Sequence, residues 1–270
     1  MRLVAAAKVR RAQQRTLAAR PFTTRVIKML REIVRDTAEI DLQELPLLHR
    51  RPIKKVAIIV LAADRGLCGS YNSNIFRHTL ERVQQLEKDG KEVSLILVGL
   101  KSVAFFRHFK LTKHRTYTLL PAVPTVEEAK LIAMQTAELY VKGVVDAVEL
   151  ISTHFISLLR SELVNTKFLP VELPPPEVHE ALQPQILFEP TIQEVLELQL
   201  LPKYIENVIF QSLLDASASE LAARMNAMSN ASTNAQELIN TLTLVYNKAR
   251  QASITQELLE VVGGAEALRA

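Results

Sequence analysis

Apolar and small residues in the first forty positions fall at Ala5, Val9, Ala12, Thr16, Ala19, Thr23, Val26, Leu30, Ile33, Thr37 and Ile40. The steps alternate between four and three, which puts one narrow stripe along a helix; the small residues in its first half let a partner backbone come close. The pattern predicts a helix over 1–41, kinked locally at Pro21 and ending near Asp41, ahead of Pro46 and Pro52. The far end of the chain repeats the spacing with Leu221, Met225, Met228, Ala231, Ala235, Leu238, Leu242, Val245, Ala249 and Ala252. Neither glycine nor proline interrupts Lys203 to Val262, so the run predicts a helix on the order of 90 Å long at 1.5 Å per residue. Two such stripes are natural partners. Antiparallel pairing, with the intervening domain at one end of the rod, is the expected arrangement.

Between the two helices the period changes. Lys54–Ala62 and Val93–Val98 read as buried strands, each followed by a helix, near Asn72–Lys88 and Lys101–Phe109. A short strand is expected at Thr116–Leu119. The Thr125/Glu128 capping box then opens a helix to about Lys142. Ala147–His154 is a fourth strand, with Leu163–Phe168 as its hairpin partner. Alternating strands and helices imply an α/β fold with a Rossmann-like, mainly parallel sheet. The expected organisation is an N-terminal coiled-coil helix (1–41), the α/β domain (53–170), a proline-rich loop (171–190) and a C-terminal coiled-coil helix (191–268). Thr191 and Glu194 cap the last helix, and Pro202 kinks it.

Charge refines this picture. The net charge is only +4, but the first 35 residues carry ten Lys and Arg against the single acid Glu32. Phe22 is the only aromatic there, so an acidic protein partner fits this segment better than nucleic acid. Between Asn226 and Asn247 the only charge is Glu237. A long helix alone in water normally carries many charge pairs. A smooth one suits passage through a protein sleeve, although an ordinary coiled-coil scaffold is the plainer reading. The 48% hydrophobic content excludes wholesale disorder. No window of eighteen uncharged apolar residues is present for a membrane span, and no signal-peptide core precedes the first helix.

Candidate chemistry is sparse. The turn Asp64-Arg65-Gly66-Leu67-Cys68-Gly69-Ser70 follows the first strand, where a doubly wound fold binds nucleotides. It matches neither phosphate-binding fingerprint, and two glycines more often simply make the turn. Cys68, the only cysteine, rules out an intrachain disulfide; a small buried residue is its plainer reading. The six histidines show no metal-ligand spacing. Phe105–Lys110 mixes bases with aromatics, which usually marks the end of a surface helix. No catalytic residue, cofactor site or metal site is expected, and the chain reads as a rod on a compact head rather than an enzyme acting alone.

Met1–Arg10, Asp64–Asn72, Glu220–Met225, Tyr246–Glu257 and Val261–Ala265 together resemble the gamma subunit of F-type ATP synthase, in order and over the whole chain. The resemblance implies a non-catalytic rotor shaft. In that family the terminal helices turn inside a ring of three alpha and three beta subunits, with the α/β domain near epsilon and the membrane ring of c subunits. It implies hexamer contacts at Met1, Lys8, Arg10, Arg11, Arg224, Arg250, Gln251, Thr255 and Glu257, and c-ring or epsilon contacts at Phe188 and Glu189. The local alternatives are an Arg250–Glu257 pair and a helix-capping role for Glu189. Glu220–Ala231 and Leu200-Leu201-Pro202 resemble the cyanobacterial and plastid branch. That implies a peripheral place on a thylakoid or bacterial plasma membrane more than on the mitochondrial inner membrane. Two departures stand out. Family members begin about twenty residues earlier, so Met1 is expected to be an internal methionine, leaving roughly Ile254–Leu268 without a helical partner. The regulatory insertion with two cysteines is also lacking. The competing readings are a stand-alone nucleotide-binding α/β protein and a coiled-coil scaffold.

Overall fold

The computed structural model describes residues 2–36, 45–119, 121, 123–172 and 192–268. Its elements, in order, are α1 (Arg2–Asp36), β1 (Lys55–Leu61), α2 (Tyr71–Lys88), β2 (Glu92–Val98), α3 (Leu100–Phe106), β3 (Thr112–Tyr117), α4 (Val126–Val141), β4 (Ala147–Phe155) and β5 (Ser161–Leu169). The last part comprises α5 (Ile192–Val195), a π-helical turn (Leu196–Leu200) and α6 (Leu201–Ala267). The chain divides into two compact units, Met1–Asn226 and Ala227–Ala270.

The first unit is built on a five-stranded sheet of order β3-β2-β1-β4-β5, with β5 alone antiparallel, paired to β4. β1 and β2 are buried from their second residue onward, as strands covered on both faces must be. Helices cover the two faces separately. Ile58, Val60, Leu95 and Leu97 share an apolar core with Ile75, Phe76 and Val83 of α2 and Phe106 of α3. Ile59, Leu61, Ile96 and Leu150 share the other with Ile132 and Tyr140 of α4, Val26 and Leu30 of α1, and Ile205 and Ile209 of α6.

The heptad stripe of α1 is the buried face. Ala5, Val9, Thr16, Val26 and Leu30 are buried, and Ala12, Ala19 and Thr23 are half-buried. Val9 shares a cluster with Ala218 and Ala222, and Arg20 approaches Asp215 at 3.6 Å. Numbers rise along α1 as they fall along α6, so the pairing is antiparallel. It is not a bare two-helix seam, because Phe155 of β4 enters the same cluster and Val26 and Leu30 face the sheet. Pro21 leaves α1 unbroken. Pro202, which has no amide hydrogen, enters as the second residue of α6 directly after the π turn. The widened turn resets the hydrogen-bond ladder where proline could not have donated. The expected end of the first helix at Asp41, the Thr191 cap and nearly all of the proline-rich loop lie outside the described residues.

β3 differs from its expectation, starting at Thr112 rather than Thr116. Lys113, His114 and Arg115 mask it in the sequence, yet charged side chains are normal on an edge strand. The Thr125/Glu128 capping box is present, with the Glu128 carboxylate accepting the Thr125 amide at 2.7 Å.

A half-buried ion pair bolts α2 to the sheet. Arg82 donates from Nε and Nη2 to Glu149 on β4, at 2.8 and 2.6 Å, and Asn165 of β5 donates to the same carboxylate. Burial pushes the Glu149 carboxyl up, but these hydrogen bonds and the guanidinium charge outweigh it and hold the carboxyl below its usual range. A depressed carboxyl contributes stability above its unfolded value, and that stability is lost as pH falls through the folded one. Arg82→Ala should cost about 2 kcal/mol by removing the charged partner of Glu149, whose carboxylate keeps only the Asn165 bond. In wild type the pair's contribution should fade below about pH 4.5. Urea unfolding of wild type and variant at pH 7 and pH 3.5 measures both; the gap between them should shrink at the lower pH.

The second unit is the remainder of α6. From Asn230 to Ala265 every residue except Asn247 is exposed, including Leu238, Leu242 and Val245 of the expected seam. The exposed run thus begins at Asn230, ahead of the expected Ile254.

Candidate functional site

The turn after β1 is the place to look for a ligand in a doubly wound sheet, and its polar groups are already engaged. Asp64 Oδ1 accepts the Leu100 amide at the start of α3 at 2.7 Å, and also the Leu119 amide. Asn72 Oδ1 accepts the Ala63 amide at 3.1 Å. The carboxylate of Asp64 thus occupies a helix terminus that would otherwise attract an anion. What the turn presents outward are carbonyls. Arg224 of α6 donates to Gly66 O from Nε and Nη2, at 3.3 and 3.2 Å, and to Arg65 O at 3.4 Å. The same guanidinium pairs with Glu220 one turn away, and burial raises the Glu220 carboxyl despite that partner. Tyr71 adds a buried bond from its hydroxyl to Ala216 O at 3.2 Å. The turn is a clasp that grips α6.

Cys68 sits under this clasp. It is buried, and burial together with the nearby Glu220 pushes its thiol above the usual range, the opposite of a reactive thiolate. The aromatic run after β2 likewise serves the core. Phe105 stacks on Phe76 with ring centroids 4.4 Å apart, and Phe106 is fully buried. Among the described residues no cluster of acids, histidines and cysteines could hold a metal, and no helix is long and apolar enough to cross a membrane.

A second polar junction escaped the sequence reading. Asp215, buried on α6, accepts from His154 of β4 at 2.8 Å and faces Arg20 of α1, which also donates to Phe155 O at 2.6 Å. Burial raises the Asp215 carboxyl, with His154 and Arg20 opposing. It joins α1, the sheet and α6 in one place. The available signal was a lone acid in the apolar stretch Leu213–Ala218.

Seven of the expected contact residues lie on open surface. Lys8, Arg10 and Arg11 are exposed on α1, off its buried stripe. Arg250, Gln251, Thr255 and Glu257 are exposed on the second unit. Arg250 forms no ion pair among the described residues, and Glu257 instead receives a 3.5 Å bond from Ser253, so the local Arg250–Glu257 alternative is not what forms. Arg224 is held in the clasp. Met1, Phe188 and Glu189 lie outside the described residues.

The first unit pairs α1 with α6, the second is a sparsely charged stretch of helix, and the described residues hold no catalytic constellation. The sequence profile described as ATP synthase matches residues 1–268. The ATP synthase gamma chain of Thermosynechococcus vestitus is 44% identical over 294 aligned positions, covering 100% of this chain and 93% of its own length. That of Nostoc punctiforme is also 44% identical, covering 99% and 92%. The chain belongs to the ATP synthase gamma-chain family. Alignments longer than 270 positions mean that these gamma chains carry internal residues absent here. Among solved structures, a chain of the Tetrahymena thermophila mitochondrial ATP synthase central stalk and c-ring matches with a TM-score of 0.63 at 26% identity. It covers 86% of this gamma-family chain and 97% of its own. A chain of the Euglena gracilis mitochondrial ATP synthase shares the fold, with a TM-score of 0.60 at 17% identity.

Proposed function

We propose that this chain is the central-stalk rotor subunit of a proton-translocating ATP synthase, coupling proton flow through a membrane ring of c subunits to ATP synthesis in an alpha/beta hexamer. The chain is non-catalytic in this reading, and the nucleotide chemistry belongs to beta. The observation that carries the proposal is the run from Asn230 to Ala265, which is exposed almost throughout and yet bears few charges and an apolar stripe. Such a surface is costly to leave in water and suits a sleeve it can turn past without breaking many ion pairs. Helices 1–41 and 191–268 form the shaft in this account, and 53–170 the head.

Lys8, Arg10, Arg11, Arg224, Arg250, Gln251, Thr255 and Glu257 are the proposed hexamer contacts, with Met1 beside them. Phe188 and Glu189 are proposed to meet epsilon or the c ring. A rotating shaft drives its sleeve only through contacts that differ between the sleeve's states, and an asymmetric set of charged groups on a smooth helix supplies such differences. The complex lies peripherally on an energy-transducing membrane, of thylakoid or bacterial plasma-membrane type. Reconstitution with alpha and beta subunits of a cyanobacterial relative tests the reading. A complex with one copy of this chain per three alpha–beta pairs and ATPase activity is expected. A chain that never enters the hexamer would refute it.

A further inference from the structure

Beside the clasp lies a cavity of about 380 Å³, within the first unit, at the carboxyl ends of β1 and β2. Its size falls in the range of small-molecule sites. Ala12, Val123 and Leu221 contribute its accessible apolar floor, backed by the buried Leu61, Val98 and Leu213, and Lys8, Arg11 and Arg15 stand along its α1 side. Those three cations, spaced three and four apart, share one flank of α1 next to the buried stripe. All are exposed, and none has an ion-pair partner among the described residues. The acids that also line the cavity are committed elsewhere, Asp64 to backbone amides and Glu220 to Arg224. Uncompensated positive charge thus faces an apolar hollow at the sheet edge where doubly wound folds take ligands.

We propose that this cavity binds a nucleoside di- or triphosphate, with the base against Ala12, Val123 and Leu221 and the phosphates on Lys8, Arg11 and Arg15. The binding mode differs from that of a glycine-rich phosphate loop. Asp64 is spent on the first amide of α3, and the charge for the phosphates comes from α1. A flat, weakly polar base fits the floor, and two or more negative charges match the three free cations. The site would exist on the free chain independently of any nucleotide bound by other subunits; Lys8 and Arg11 are also proposed hexamer contacts, so the two uses of these side chains exclude one another in the same state.

Equilibrium dialysis of the purified full chain against ADP, at 150 mM salt, tests it. Saturable binding at one site per chain is expected. K8Q/R11Q/R15Q should weaken it at least ten-fold, whereas R25Q/R107Q/K110Q, which removes the same charge elsewhere, should leave it within two-fold. Circular dichroism of both variants should match wild type, since all six side chains are exposed. Pyrophosphate should bind at least ten-fold more weakly than ADP, because it lacks the group that fills the apolar floor. Absence of saturable ADP binding, equal loss in both triple variants, or pyrophosphate binding as tightly as ADP would each overturn the assignment.

Discussion

Replacing Arg250 and Gln251 together by alanine is expected to lower ATP-driven proton pumping by about ten-fold or more while leaving the chain's thermal unfolding unchanged. Both side chains are exposed, and neither belongs to the apolar stripe or holds a tertiary contact in the described residues. Their loss therefore removes nothing from the folded chain. In an assembled motor they would offer a guanidinium and an amide to the surrounding subunits. A hydrogen bond involving a charged group contributes roughly 1.5–3 kcal/mol, and 1.4 kcal/mol is a factor of ten. If that interaction differs between states of the sleeve, its loss appears as lost coupling rather than lost folding. Pumping in reconstituted vesicles, set beside a melting curve of the free chain, separates the two. Unchanged pumping would favour a scaffold over a rotor.

The largest stability effect is expected at Gly99. Its φ is +97°, a region that side chains rarely adopt, and a Cβ there would lie 2.1 Å from the Ala62 carbonyl oxygen. The Gly99 amide also donates to Tyr117 O at 2.8 Å, tying the ends of β2 and β3. Relief would require backbone movement at the end of β1 itself. Gly99→Ala should therefore cost about 3 kcal/mol or more, combining the conformational cost with a clash that no rotamer can avoid. Domains are commonly stable by roughly 5–15 kcal/mol, so the loss is severe. A urea midpoint shifted well downward in Gly99→Ala is the expected result. Gly66→Ala is the control: an added Cβ there meets only the flexible end of Lys101, at 3.7 Å.

Much of this architecture was legible in the residues, for identifiable reasons. β1 and β2 are continuous apolar runs because both faces are covered. The α1 stripe is regular because one face packs along its length, and α4 announces itself through a reciprocal cap. β3 was cut short because an edge strand needs no apolar alternation. The clasp was illegible because a sequence shows two glycines but not which way the peptide between them points. Here the carbonyls of Arg65 and Gly66 turn toward Arg224, and a turn that could have cradled phosphate grips a helix instead. Asp215 was missed because His154 and Arg20 are 61 residues or more away in sequence. The charge-poor surface of α6 could be read directly, since it depends on composition rather than on tertiary contacts.

The sleeve account is tested most directly by alkylating a cysteine placed at Leu242. Cys68 provides a quiet background, being buried with its thiol pushed up. In the free chain Leu242→Cys should react rapidly, because the position is exposed. After assembly with alpha and beta subunits the rate should fall by about ten-fold or more; an undiminished rate in the assembled complex would contradict enclosure of the helix.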